Sequence, residues 1–213
     1  MAAPLRRDPA LLVSGLIAVL GNVLGVLFLK DVPGAYRVAQ LEGWARDSLL
    51  HPQATAASAI SFVVGLLGLA VWALSLGRRV SEPGARAGAW FVAGGALLNA
   101  AGCVTPLVLA LHVGDTGEAG APLARALLGI TLSLDAAFNL TLGVGLLALG
   151  LCWRASPRRW LRGLAIVAGA ASLPVAGQAI SDGAADFLLL AAPLWLGFIL
   201  VTSLRGWSDD GAT

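Results

Sequence analysis

The sequence predicts an all-α integral membrane protein in which six transmembrane helices form one bundle. Two observations predict this fold class: the composition is too apolar for a soluble domain, and six apolar runs are each long enough to cross a bilayer. Of the 213 residues, 58% are hydrophobic and only 12% are charged, whereas soluble domains carry about 25% charged residues. Lipid must therefore cover much of the surface.

The six apolar runs define the expected spans, because a transmembrane helix needs about 20 apolar residues at a rise of about 1.5 Å each. They cover residues 10–29, 54–76, 88–111, 122–151, 160–180 and 184–204, within a single transmembrane domain of residues 1–213. The first run is longer than the apolar region of a cleaved signal peptide, so we interpret it as a retained span.

The distribution of basic residues predicts the orientation. Nine of the 14 basic residues lie before span one, in the loops that follow spans two and four, or after span six, and a tenth, Arg162, lies just inside span five on the same side. The other four are Lys30, Arg37, Arg46 and Arg125. The positive-inside rule therefore predicts that the N and C termini are both cytoplasmic. The preference for Arg over Lys suggests a bacterial chain, and we expect a multi-pass protein of the inner (plasma) membrane.

The longest loop, residues 31–53, is expected on the outer side between spans one and two. Val38, Leu41, Ala45 and Leu49 recur in it at helical spacing. This pattern predicts a short amphipathic helix on the outer membrane surface. It serves either as an ordered connector or as a lid over a cavity.

One carboxylate is predicted near the middle of a span. Asp135 lies in span four, where a charge costs about 2.5–3.5 kcal/mol on insertion scales, and no basic residue lies at a matching depth. Asn139 shares its helix face, while Asn22 and Asn99 lie near the same depth in spans one and three. We expect these four residues to form a cluster, either as interhelical hydrogen bonds of about 0.6 kcal/mol each or as a ligand, ion or proton site.

Span five supplies a second set of polar residues. Pro174 cannot donate a hydrogen bond to the carbonyl of Ala170, so the helix is expected to kink there. Gln178 and Asp182 follow the kink. The candidate ligand or proton-site residues are therefore Asp135, Asn139, Asn99, Asn22, Gln178 and Asp182.

Further polar residues are expected around the outer mouth of the bundle. They are His51, His112, Asp115, Glu118 and Asp186. Their spacing matches no typical zinc site, so solvated loop charges are favoured over a divalent metal site, and no metal site is predicted.

Small residues recur four apart in the first two spans. Gly21 and Gly25 form a GxxxG pattern in span one, and Ser61 and Gly65 repeat the spacing in span two. This pattern permits close helix approach. We expect it to pack the bundle rather than to form a dimer.

Motifs that carry enzymatic chemistry are missing from the sequence. It contains no GxxxxGK[ST], HExxH, GxSxG or CxxC pattern. No catalytic residue and no cofactor are therefore predicted. The sequence favours a protein without enzymatic activity but does not decide the point. Nucleic-acid binding is excluded because the arginines form no basic stripe with aromatics.

A segment around the fourth and fifth spans resembles a known family. Residues 143–150 read Gly-Val-Gly-Leu-Leu-Ala-Leu-Gly, a Ser156-Pro157-Arg158 turn follows, and Ala168-Gly169 lies in the next span. This segment, residues 143–170, is similar to an uncharacterised family of bacterial six-helix membrane proteins, known as a domain of unknown function. The resemblance implies six spans, and it assigns neither an activity nor functional residues.

Three functions remain open. The first is binding or transport of a small molecule, ion or lipid through the polar site, with Asp135 as a proton carrier or polar anchor. The second is a non-catalytic scaffold or partner subunit of a membrane complex, using the small-residue faces of spans one and two. The third is a membrane enzyme acting on lipid or quinone. The expected partners are accordingly the lipid bilayer, such a ligand, or another membrane protein.

Overall fold

The computed structural model describes residues 8–29, 36–113, 120–154 and 159–205. Within these ranges the chain is helical apart from short turns, and six helices are long and apolar enough to cross a membrane. The α-helices are α1 (Pro9–Phe28), α2 (Leu41–Leu50), α3 (Pro52–Arg79), α4 (Pro83–Val108), α5 (Ala121–Cys152), α6 (Arg159–Val175), α7 (Asp182–Asp186) and α8 (Leu188–Arg205). The predicted all-helical class is confirmed for the described residues, with six helices of the length and apolar character that a span requires.

Proline in the first turn starts four of the spanning helices: α1, α3, α4 and α5. This position suits proline because the first turn leaves its backbone N–H groups without intrahelical partners. At α1 the Asp8 side chain also caps the helix, accepting from the backbone N–H of Ala10 at 3.0 Å. Asp8 forms an ion pair of 3.1 Å with Arg79 as well, which ties the start of α1 to the end of α3.

The spanning helices pack as a closed ring. Each of α1, α3, α4, α5 and α6 contacts the next in that order, and α8 contacts both α6 and α1. The interior of the ring is filled partly by aromatic side chains. The rings of Trp72 and Phe198 meet edge-to-face at 5.9 Å, and those of Phe138 and Trp195 at 6.3 Å. This closure brings α4, α5 and α6 together around the mid-bundle carboxylate.

Glycines set the closest helix contacts. A Cβ on Gly21 would lie 2.5 Å from the Cα of Gly65, so α1 and α3 touch through their backbones. A Cβ on Gly88 would lie 2.5 Å from the carbonyl oxygen of Gly145, at the contact of α4 with α5. The small residues of the first two spans therefore pack against each other inside the bundle.

A short helix is present between the first two spans. A 3₁₀ turn at Val38–Gln40 leads into α2, whose Trp44 and Ala45 are 2% and 1% exposed. These side chains share an apolar cluster with Leu109 of the segment after α4 and with Leu128 of α5. The apolar face of α2 therefore covers one end of the bundle.

Candidate functional site

The carboxyl group of Asp135 lies at the centre of a polar cluster inside the bundle. Asp135 is near the middle of α5 and only 8% exposed. In the described part of the chain, no Lys, Arg or His side chain forms an ion pair or hydrogen bond with it. Its polar partners are all side-chain amides.

Three amides from three helical segments donate to this carboxyl group. Nδ2 of Asn99 in α4 donates to Oδ1 of Asp135 at 2.6 Å. Nδ2 of Asn139, one turn along α5, lies 3.2 Å from Oδ2 and 2.9 Å from the backbone oxygen of Asp135. Nε2 of Gln178 also donates to Oδ2. Such donors stabilise a carboxylate, and the structure brings together four of the six predicted site residues.

A helix break delivers Gln178 to the cluster. The sequence predicts a kink at Pro174, and α6 ends one residue later, at Val175. The chain continues as a tighter 3₁₀ turn at Ala176–Ala179, and Gln178 within this turn is fully buried. Interrupted helices at membrane depth are tolerated where they line a polar site, because their freed backbone groups need partners.

Two amide oxygens of the cluster have no hydrogen-bond partner among the described residues. Oδ1 of Asn99 and Oε1 of Gln178 are both buried and accept no hydrogen bond. Leaving a buried acceptor unsatisfied costs about 1–3 kcal/mol. The cluster therefore combines a carboxylate with two free acceptor oxygens, so it has more hydrogen-bond acceptors than donors.

A layer of hydroxyl groups lies one helical turn from the cluster. Pro106 lies inside α4 and cannot donate to the carbonyl of Gly102. The hydroxyls of Thr105 and Thr131 lie 2.8 Å and 3.2 Å from that carbonyl oxygen and contact each other. Thr131 precedes Asp135 by four residues in α5, so both polar layers lie on the side of α5 that faces α4.

Tyr36 closes the α2 side of the site. Its hydroxyl faces the thiol of Cys103, which lies one turn beyond Asn99 in α4. Its ring packs on Trp44 at 5.0 Å and on Phe62 at 6.0 Å. Burial raises the pKa of Tyr36 well above its usual value of 10.0, with further contributions from Cys103 and Asp135. Tyr36 therefore stays protonated at neutral pH.

The backbone of Tyr36 is strained, and a narrow cavity adjoins its side chain. Its φ of 62° lies in the left-handed region, which costs a non-glycine residue about 1–3 kcal/mol. The cavity has a volume of about 10 Å³ and is lined by Tyr36, Trp44, Cys103 and Pro106 among others. That volume holds about one water molecule. The cavity therefore reaches Cys103, one turn beyond Asn99, and the Tyr36 ring forms part of its wall.

Asn22 lies elsewhere, and its expected place in the cluster is corrected. Its amide donates to the carbonyl of Ala18 in its own helix at 2.8 Å. The same amide nitrogen would lie 2.8 Å from a Cβ on Gly65. The depth of Asn22 in the bilayer was inferred from residue counting, but its helix face is turned to α3. The closed ring keeps α1 away from α5, which explains the error.

Asp182 is also remote from the cluster. Its carboxylate accepts from the backbone N–H of Ala39 at 3.1 Å, and Arg37 pairs with Asp186 at 2.8 Å. These contacts connect the segment before α2 to α7. The spacing of four residues predicts that Asp182 and Gln178 lie on one helix face. The 3₁₀ turn and the following turn at Ile180 end that helix, so the two residues do not share a face.

The other residues expected at the outer mouth form no metal site in the described part of the chain. No three His, Cys, Asp or Glu side chains group together there. His51 and His112 are exposed, while Asp115 and Glu118 lie outside the described residues.

Sequence reasoning missed three residues around the site: Tyr36, Cys103 and Thr105. A signal existed for Thr105. Pro106 leaves the carbonyl of Gly102 without its helical N–H donor, and a neighbouring hydroxyl can donate to that carbonyl instead. No sequence pattern connects Tyr36 to Cys103, which lies 67 residues later in the chain. Their contact depends on how α2 folds back over the bundle.

The chain matches no protein-family model, no curated protein and no solved structure. Function is therefore inferred from the geometry alone.

Proposed function

We propose that this protein is a multi-pass membrane protein that binds, and transports, a small molecule or ion at the Asp135 cluster. A single observation carries the proposal: a buried carboxyl group lies beside two buried amide oxygens that have no partner. Interhelical adhesion alone needs no such surplus of acceptors, because each unsatisfied oxygen opposes folding. Ionisable groups within membrane helices typically mark substrate, ion or proton pathways.

A broken helix supports the same proposal. α6 gives way to the 3₁₀ turn that carries Gln178, while α4 contains Pro106 and passes into a π-helical turn at Leu109–Val113. In transporters, broken helices near the midplane provide the backbone and side-chain ligands of the bound solute. Here the broken α6 supplies Gln178 to Asp135, and the proline-containing α4 supplies Asn99.

The proposed orientation places both termini in the cytoplasm and α2 on the outer side of a bacterial inner membrane. The charge distribution supports it, with ten of 14 basic residues on the proposed cytoplasmic side. In this orientation Tyr36 and α2 form a lid over the outer approach to Asp135. Fusion of a fluorescent protein or alkaline phosphatase to the C terminus tests the orientation. Fluorescence without phosphatase activity is expected, and the converse would reverse the assignment.

Infrared difference spectroscopy of the full chain in nanodiscs tests the binding function. The protonated carboxyl band of Asp135 is isolated by subtracting the spectrum of Asp135→Asn. A band that changes with pH or with an added solute is expected for a binding site. A band that stays constant across the accessible pH range and with sodium, potassium and small amines would reduce the cluster to structural adhesion.

Asn22→Ala is the matched control for this experiment. Asn22 is a buried amide within a spanning helix, but it bonds only to its own helix. Its removal should leave the Asp135 band unchanged. A band altered equally by Asn22→Ala would indicate a general change in packing.

The two alternative functions have less support. The scaffold hypothesis relied on small-residue faces of the first two spans, but Gly21, Gly65 and Gly68 are occupied by the contact of α1 with α3. The enzyme hypothesis relied on the outer histidines, and His51 and His112 are exposed without a carboxylate hydrogen bond among the described residues.

A further inference from the structure

The charge of the Asp135 cluster is unbalanced. One carboxylate is surrounded by neutral amides, and no described cationic side chain contacts it. An unpaired charge in a low-dielectric interior carries a penalty of several kcal/mol even after relaxation. Either a proton or a bound cation must neutralise this carboxylate.

The amides of Asn99 and Gln178 can serve both charge states. Each amide carries an N–H₂ donor and a carbonyl acceptor, and rotation by about 180° about the last torsion exchanges their positions. With the nitrogens inward they donate to a bare carboxylate, as observed. A protonated carboxyl can donate its O–H to one amide oxygen turned inward, whereas both amide oxygens can face the carboxylate only when a cation lies between them. The unpartnered oxygens are thus available as ligands.

More oxygen atoms extend this ligand set along α4. A Cβ on Gly102 would lie 3.6 Å from Oδ1 of Asn99, so this free amide oxygen lies beside Gly102. The hydroxyls of Thr105 and Thr131 and the carbonyl of Gly102 lie there. All these groups are hard oxygen donors, which suit alkali and alkaline-earth cations rather than softer metals.

Charge and size favour a monovalent ion over a divalent one. A single carboxylate neutralises one positive charge, and a divalent ion would leave a net charge of +1 buried in the bundle. Ca²⁺ also takes 6–8 oxygen ligands, and Mg²⁺ retains several waters. The cavity beside Cys103, one turn beyond Asn99, has a volume of about 10 Å³, which leaves room there for about one water and none for an organic amine.

We infer, on the premise of the proposed function, that the ligand is one dehydrated monovalent metal cation, held by the carboxylate of Asp135 and the side-chain oxygens of Asn99 and Gln178. The cation displaces the proton of the neutral carboxyl group, and that proton leaves to solvent. Binding turns both amides so that their oxygens face inward. The site therefore couples the cation to the proton by competition at one carboxylate.

Sodium titration in nanodiscs tests this inference, with choline chloride keeping the ionic strength constant. Sodium is expected to remove the protonated Asp135 band and to raise Tm, because a ligand of the folded state stabilises it by mass action. The apparent affinity for sodium should weaken by about tenfold for each unit by which the pH falls, in the range where the carboxyl is protonated, because cation and proton compete.

Two variants and one control sharpen the result. Asp135→Asn, which preserves volume, and Gln178→Leu, which removes one oxygen ligand, should each lose the sodium-dependent rise in Tm. Asn22→Ala should retain it. If one site variant fails to fold, the other still provides the comparison with the control.

The outcomes separate this inference from the proposed function. Potassium acting in place of sodium supports a monovalent cation site of different size selectivity. A band that titrates with pH identically in sodium, potassium and choline would overturn the cation inference and retain a proton site. A sodium effect on Tm that persists unchanged in both site variants would also overturn it. A band insensitive to pH and to every salt would overturn the proposed function as well.

Discussion

Nδ2 of Asn99 donates to Oδ1 of Asp135 at 2.6 Å across the contact of α4 with α5. We expect this bond to couple the two residues by about 1–2 kcal/mol, the upper part of the range for interhelical bonds in membranes, because the acceptor is a carboxylate. A double-mutant cycle of Asn99→Ala and Asp135→Ala, measured by unfolding in mixed micelles, gives this energy.

The control for that cycle combines Asn99→Ala with Asn22→Ala. These residues share no partner, so their effects should add to within about 0.5 kcal/mol. Equal coupling in both cycles would contradict a specific bond between Asn99 and Asp135.

Glycine at position 21 is required by the backbone contact of α1 with α3. A Cβ there would lie 2.5 Å from the Cα of Gly65, so Gly21→Ala must push the helices apart. We expect it to lower the free energy of unfolding by about 1–3 kcal/mol, as overpacking does. Gly94→Ala is the matched control, because a Cβ there meets nothing within 4 Å. Equal effects of the two substitutions would contradict the backbone contact.

Tyr36 is the only tyrosine of the chain, so its ionisation can be followed by absorbance. Burial raises its pKa, and we expect tyrosinate absorbance to appear well above pH 10 in the folded protein and near pH 10 after unfolding. The raised pKa means that the fold favours the protonated hydroxyl. This contribution to the free energy of unfolding is complete below about pH 10 and is lost as the pH rises further.

Tyr36→Phe provides the control for this titration. The variant should show no tyrosinate absorbance and should lack the part of the stability loss above pH 10 that comes from this hydroxyl. Titration of folded Tyr36 near pH 10 would contradict its burial against Cys103.

The ion pair of Arg37 with Asp186 should contribute little to stability. The two side chains are 39% and 61% exposed at 2.8 Å, and exposed pairs are typically worth about 0–1 kcal/mol. Arg37→Ala is therefore expected to lower the free energy of unfolding by less than about 1 kcal/mol and to leave the Asp135 infrared band unchanged. A large effect on that band would connect α7 to the site.

The sequence predicted the spans and the central carboxylate because both depend on local composition. Twenty apolar residues in a row have few alternatives to a membrane helix, and Asp135 is conspicuous against such a background. Asn99, Asn139 and Gln178 could be proposed from depth and helix periodicity. Asn22 could not be excluded in this way, because depth does not determine which neighbour a helix face meets.

The lid over the site could not be predicted for a similar reason. The helical spacing in residues 38–49 indicates an apolar face for α2, but not the surface that it covers. Tyr36 reaches Cys103 only because α2 packs on α5 and on the π-helical turn that follows α4. Its positive φ likewise depends on tertiary contacts, since the residue itself disfavours that conformation.

The two cysteines report on the closure of this lid. Both are free; Cys103 is buried behind Tyr36, and Cys152 is partly exposed at the other end of the bundle. A small polar thiol reagent should therefore modify Cys152 and spare Cys103. In a Cys152→Ser background, Tyr36→Ala should expose Cys103 and increase its labelling rate several-fold, whereas Tyr36→Phe, which keeps the ring, should not. Labelling of Cys103 that is equally slow in both variants would show that another element closes the approach to Asp135.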